Sequence, residues 1–100
     1  MNMQQMMAQA QKMQRELKKA MAELEAKEFV VSKGGAVTVT VYGNKVIKSV
    51  NIDADAFDAD NKDMVEEMIA LAINEALEKI DEESEAINEC ITGQPGGFGF

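Results

Sequence analysis

Residues 37–42 read Val-Thr-Val-Thr-Val-Tyr, and this stretch decides the fold because apolar and polar side chains alternate along it. Successive side chains of a β-strand point to opposite faces, so the alternation predicts a strand with one buried face. The dipeptides Gly34-Gly35 and Gly43-Asn44 stand on either side and are typical of tight turns between antiparallel strands. We therefore expect the chain to turn back at both ends of this strand.

Two further strands are predicted beyond these turns. Residues 29–32 read Phe-Val-Val-Ser, with one aromatic and two β-branched side chains. Val46, Val50 and Ile52 mark an apolar run after the second turn. Short connections of this kind predict a three-stranded antiparallel meander. Because so small a sheet needs its apolar face covered, we expect a helix to lie across it.

A long helix is predicted before the sheet, over about residues 2–27. Its apolar side chains recur at alternating spacings of three and four, which indicates a helix with one narrow apolar seam. The seam consists of Met3, Met6, Ala10, Met13, Leu17, Ala20 and Leu24. Such a helix is roughly 37 Å long, whereas a compact domain of this size has a radius of gyration of only about 13 Å. We therefore expect the helix to project unless something pairs with it.

A second helix is predicted after the acidic connection 53–61, over about residues 62–91. Its first half is broadly apolar and is the part expected to cover the sheet, and a narrower seam continues beyond it. Both helices thus have amphipathic ends that a three-stranded sheet cannot reach. Because these stripes would otherwise face water, we expect mutual pairing of the helices, a homodimer, or both.

The predicted architecture is α+β, with one domain over residues 1–92 and a flexible Gly-rich tail over 93–100. A chain of 100 residues with 46% apolar and 28% charged residues is of globular composition. It has neither an apolar run long enough to span a membrane nor an apolar signal segment. A cytoplasmic protein without membrane attachment is therefore expected.

Few residues are suited to catalysis or metal binding. The sequence has no His and a single Cys, Cys90, which excludes His-based triads and His-ligated zinc. The aspartate-rich stretch departs from the calcium-loop pattern, because Phe57 and Met64 stand at its fifth and twelfth positions. Turn formation and helix capping explain these aspartates better. We expect no enzyme activity, no cofactor, no metal site and no small-molecule substrate.

The charges are segregated along the chain. The net charge is −8, yet residues 1–48 carry eight basic and four acidic side chains, and residues 49–100 carry two and fourteen. Such asymmetry indicates an end that binds a polyanion or a partner protein.

One face of the first helix is basic. Lys12, Arg15, Lys18 and Lys19 lie outside the seam, where a row of cations is suited to phosphates of double-stranded DNA. An ordinary solvated helix face explains the same residues without a ligand. Lys27, Lys33, Lys45 and Lys48 add positive charge near the sheet.

The order and spacing of several motifs resemble the YbaB/EbfC family of bacterial nucleoid-associated proteins. The resemblance spans nearly the whole chain and rests on residues 6–14, 34–39, 43, 50–53, 63–69, 72–76 and 95–97. It implies a tweezer-like homodimer, joined through the sheet region, whose projecting helices approach DNA in the nucleoid. By that pattern the DNA-binding residues are those of the basic face. The strongly acidic second helix departs from the family.

Two functions follow from these observations. The first is a nucleoid-associated homodimer that contacts duplex DNA phosphates with low sequence specificity and influences chromosome organisation and gene expression. The second is an acidic protein–protein interaction module, without direct DNA binding, that uses the second helix and the Phe-containing tail.

Overall fold

The chain folds as a helix, three strands and a second helix, as expected. The elements are α1 Met3–Ala26, β1 Glu28–Lys33, β2 Val37–Tyr42, β3 Ile47–Ile52 and α2 Lys62–Thr92. Two 3₁₀ turns, Ala54–Ala56 and Ala59–Asn61, occupy the acidic connection. The structure, a computed structural model, describes residues 2–92, so the tail predicted over 93–100 lies outside the described residues.

The three strands form the predicted antiparallel meander, with β2 in the centre. Gly34 and Gly35 adopt φ values of +57° and +66°, which favour glycine, and this confirms the first turn. In the second hairpin Thr40 pairs with Ser49 but Val41 pairs with Ile47. Lys48 is therefore the extra residue of a β-bulge.

The predicted alternation along β2 is confirmed by its burial. Val37, Val39 and Val41 are fully buried, while the residues between them are half-buried on the opposite face. Helix α2 packs on the valine face through Ala72, Ala76 and Ile80 and contacts β1 and β2. Burying each valine contributes about 1.5–3 kcal/mol. Strand β3 is left exposed along almost its whole length.

The two helices pair beyond the end of the sheet. Leu24 of α1 is buried with Ile80 of α2, and the Ser84 hydroxyl lies 4.0 Å from the Met21 sulfur. Helix α1 runs toward the sheet and α2 runs away from it, so the pairing is antiparallel. The mutual pairing expected from the seams is thus confirmed for the part of α1 nearest the sheet.

The rest of α1 projects, as predicted from its length. The radius of gyration is 19.0 Å and the molecule measures 69 × 21 × 16 Å. From residue 3 to residue 19 only Leu17 is half-buried, and we call this part of α1 the arm. The Asn2 side chain accepts a hydrogen bond from the Gln5 backbone N–H at 2.8 Å, so the helix is capped at its outer end.

The acidic connection owes its shape to side-chain caps. The Asp53 carboxylate accepts from the Asp55 N–H, and the Asp58 carboxylate accepts from the Asp60 N–H, both at 2.9 Å. These bonds confirm that the aspartates form turns. Among residues 2–92, no three metal-ligating side chains converge, and no helix is long and apolar enough to cross a membrane.

Candidate nucleic-acid interface

The basic face predicted from the sequence lies on the arm. Lys12, Arg15, Lys18 and Lys19 are all exposed. Counting about 100° per residue, they occupy a sector of about 120° opposite the side of α1 that packs on α2. From Lys12 to Lys19 the helix rises about 10 Å. The four cations therefore form one outward surface.

Almost nothing within the described chain neutralises the basic face. Lys12 Nζ lies 4.0 Å from the Glu16 carboxylate, and both side chains are more than half exposed. An ion pair that is this exposed to solvent contributes little to stability. Within residues 2–92, no carboxylate lies within ion-pair distance of Arg15, Lys18 or Lys19. The positive charge of this face is available to a partner.

The remaining cations are paired with carboxylates. Those near the sheet, which sequence analysis counted as additional positive charge, form the pairs Lys27–Glu83 (2.8 Å), Lys33–Glu75 (2.8 Å), Lys45–Asp81 (3.0 Å) and Lys48–Glu28 (2.8 Å). On α2, Lys62 and Lys79 pair with carboxylates one helical turn away. The sheet end of the molecule therefore offers little free positive charge, and that expectation is corrected.

Two of these pairs change a pKa. The hydrogen bond from Lys33 lowers the pKa of the Glu75 carboxyl, and the hydrogen bond to Glu28 raises the pKa of the Lys48 ammonium. In both cases the partner favours the charged form. These lysines are therefore engaged within the fold.

Part of the acidic charge of α2 lies on the far side of the helix pair. Glu78, Glu82, Glu85 and Glu89 recur at spacings of three and four, and all four are exposed. The opposite face of α2, with Ile80 and Ile87, packs toward the core. The acidic and basic faces are thus separated by two helix diameters, roughly 20 Å, against a Debye length of about 8 Å in physiological salt. Repulsion of DNA by α2 is largely screened at the basic face.

A second surface, next to strand β3, is apolar and open. Val50 and Ile47 pair with Val39 and Val41 and share their sheet face, yet both are more than two-fifths exposed because α2 covers β1 and β2 rather than β3. Phe57, which follows this strand, is 79% exposed. A concavity of about 350 Å³ lies at the Ile52 end of this strand, lined by Phe57 and largely by apolar side chains that include Ile52, Val65 and Ile69. An apolar face beside an unpaired strand edge is typical of an association surface.

Comparisons with known proteins identify relatives of this chain and of its fold. The sequence model of the YbaB/EbfC DNA-binding family matches residues 1–95. A nucleoid-associated protein of Clostridium novyi is 46% identical, over 98% of this chain and 90% of the relative. One of Enterococcus faecalis is 40% identical, over 95% and 93%. A crystal structure of an uncharacterized Helicobacter pylori protein shares the fold, with a TM-score of 0.75 at 18% identity, covering 93% of this chain and 99% of that one.

The fold and the arm define a small α+β protein in which paired helices extend beyond a three-stranded sheet. Within that class, the chain belongs to the YbaB/EbfC DNA-binding family. The resemblance drawn from the sequence motifs is confirmed.

Proposed function

We propose that this protein is a nucleoid-associated DNA-binding protein that contacts duplex phosphates through Lys12, Arg15, Lys18 and Lys19. One observation carries the proposal: among residues 2–92 Arg15, Lys18 and Lys19 have no carboxylate within ion-pair distance, and Lys12 has only the exposed Glu16 carboxylate at 4.0 Å. Cations that the fold has not neutralised release counterions when they meet phosphates, and this release drives binding. Phosphate contacts carry no sequence information, which accounts for low specificity.

The surface beside β3 supports a homodimer. A second copy on Ile47, Val50 and Phe57 would remove these apolar side chains from water, at about 25 cal/mol per Å² of surface buried. Phe57 lies before the start of α2, whereas the arm lies beyond the other end of α2. The arms of both copies would therefore stay free. Two arms in one particle would grip DNA as tweezers in the nucleoid and thereby influence chromosome organisation and gene expression.

Binding of labelled mixed-sequence duplex, followed by fluorescence anisotropy, tests the proposal. The wild-type affinity should fall steeply between about 50 and 200 mM salt. Replacing all four basic-face residues by Gln should weaken binding and flatten the salt dependence. A variant with Gln at Lys33, Lys48, Lys62 and Lys79 has the same net charge but loses only paired cations, and should bind almost as the wild type does. Equal affinity of the two variants would contradict the proposal.

The acidic interaction module is the second candidate. Leu71 is 51% exposed on the acidic side of α2, where an apolar residue favours a protein contact. The tail residues Phe98 and Phe100, which belong to the same hypothesis, lie outside the described residues. A pulldown from nuclease-treated lysate separates the two functions. Retention of a stoichiometric partner that is lost on Leu71→Ala would favour the module.

A further inference from the structure

The outer end of the arm differs chemically from the basic face. Residues 2–11 contain no charged side chain and consist of Asn, Gln, Met and Ala. All ten are exposed, and the capping box fixes their helical start. We call them the arm tip. If attraction of phosphates were the only role of α1, we would expect cations at this end, where the helix projects farthest.

Two glutamines of the arm tip continue the line of the basic face. Counting about 100° per residue, Gln4, Gln11 and Arg15 fall within about 40° of one another. Gln4 and Gln11 lie roughly 10 Å apart along the axis, which is two helical turns. Met7 and Ala8 flank the line between them, each about 50° to one side, so no side chain lies directly on that line.

The amides of Gln4 and Gln11 are free. Within residues 2–92, neither side chain has a hydrogen-bond partner, whereas Gln5 is engaged in the capping box. Of the three methionines of the arm tip, Met3 and Met6 lie on the seam side of the helix, and Met7 lies beside the line of Gln4 and Gln11. A partner that approaches the basic face therefore meets the two amides, with Met7 beside them, before it meets Met3 and Met6.

Building on the proposed function, we propose that Gln4 and Gln11 read adenine in the major groove while the basic face holds the phosphates at its rim. The amide NH₂ of Gln donates to adenine N7, and its carbonyl accepts from the adenine N6 amino group. A helix about 10–12 Å across enters a major groove about 12 Å wide. An uncharged tip suits the groove floor, and the cations, which follow it over about two helical turns, suit the phosphate backbone.

This arrangement predicts a modest preference within a protein of otherwise low specificity. Duplexes rich in A·T pairs should bind wild-type protein roughly tenfold more tightly than G·C duplexes of equal length. Duplexes in which 7-deazaadenine replaces adenine keep their shape and charge but lack N7. They should lose most of that preference.

The decisive variant is Gln4→Ala combined with Gln11→Ala. It should bind A·T and G·C duplexes alike, with the affinity for the G·C duplex and the salt dependence unchanged, because the basic face is intact. Alanine favours helix, so the arm should stay folded. The matched control, Gln9→Ala with Gln14→Ala, removes two amides from other faces of α1 and should keep the preference.

Each result has a definite meaning. An A·T preference that survives in the Gln4/Gln11 variant, or a wild-type protein indifferent to 7-deazaadenine, would overturn this inference while leaving phosphate binding intact. Wild-type protein that binds neither duplex would overturn the proposed function itself.

Discussion

The backbone of Gly43 lies so close to the carbonyl oxygen of Leu24 that a Cβ atom added to Gly43 would clash with it. The Gly43 N–H donates to the Lys27 carbonyl at 2.8 Å, and the Asn44 N–H donates to the Glu25 carbonyl at 3.2 Å. The turn after β2 therefore caps the inner end of α1. This contact fixes the direction in which the arm leaves the sheet.

Gly43→Ala should destabilise the fold by more than about 2 kcal/mol, because backbone must move to admit the methyl group. Gly35→Ala is the control: its φ of +66° is unfavourable to alanine, but nothing lies within 4 Å. That strain costs about 1–2 kcal/mol. Urea unfolding of both variants measures the difference, and an equal or smaller loss for Gly43→Ala would contradict the close approach.

Ile80→Ala should be among the most damaging core substitutions. The side chain is 2% exposed, at the junction of the sheet with both helices. Removing it leaves a cavity and should cost about 2–5 kcal/mol. Leu71→Ala, on the exposed side of the same helix, should change stability by less than about 0.5 kcal/mol. Thermal unfolding compares the two, and similar losses would place Ile80 outside the core.

The Lys33–Glu75 pair should make stability depend on pH. Because the pKa of Glu75 is lowered from its ordinary 4.5 in the folded protein, its stabilisation is present above that value. It is lost as the pH falls through the lower folded pKa. The wild type should therefore exceed Glu75→Gln in stability at neutral pH, and the gap should close in acid.

Urea titrations at several pH values measure that gap. Glu67→Gln is the control, because within residues 2–92 Glu67 has no ion-pair partner. Its stability relative to wild type should vary much less with pH. A gap for Glu75→Gln that stayed constant into acid would contradict the role of the pair.

Val50→Glu should prevent association if a second copy covers the face beside β3. A carboxylate buried there without a partner would be strongly unfavourable. Val30→Glu is the control, since Val30 is also a well-exposed strand valine but lies on the other face of the sheet. Sedimentation equilibrium should give a dimer for the wild type and Val30→Glu and a monomer for Val50→Glu. A monomeric wild type would remove the homodimer from the proposal.

Local patterns in the sequence determined the elements and their order. The alternation in Val37–Tyr42 and the three/four spacing before it are short-range regularities, so the predicted bounds differ from the observed ones by only a residue or two. The common outward face of Lys12, Arg15, Lys18 and Lys19 also follows from the sequence, because helical phase alone relates them. Their contact with DNA stays a prediction.

Only the tertiary structure decided which charges remain free. Lys27 and Glu83 stand 56 residues apart yet lie 2.8 Å from each other, and no periodicity within either segment indicates that meeting. The same is true of Gly43 against Leu24 and of the open face of β3. Such features depend on how α1 and α2 pack against the sheet, since ion pairing and steric contact are set by distance in space rather than along the chain.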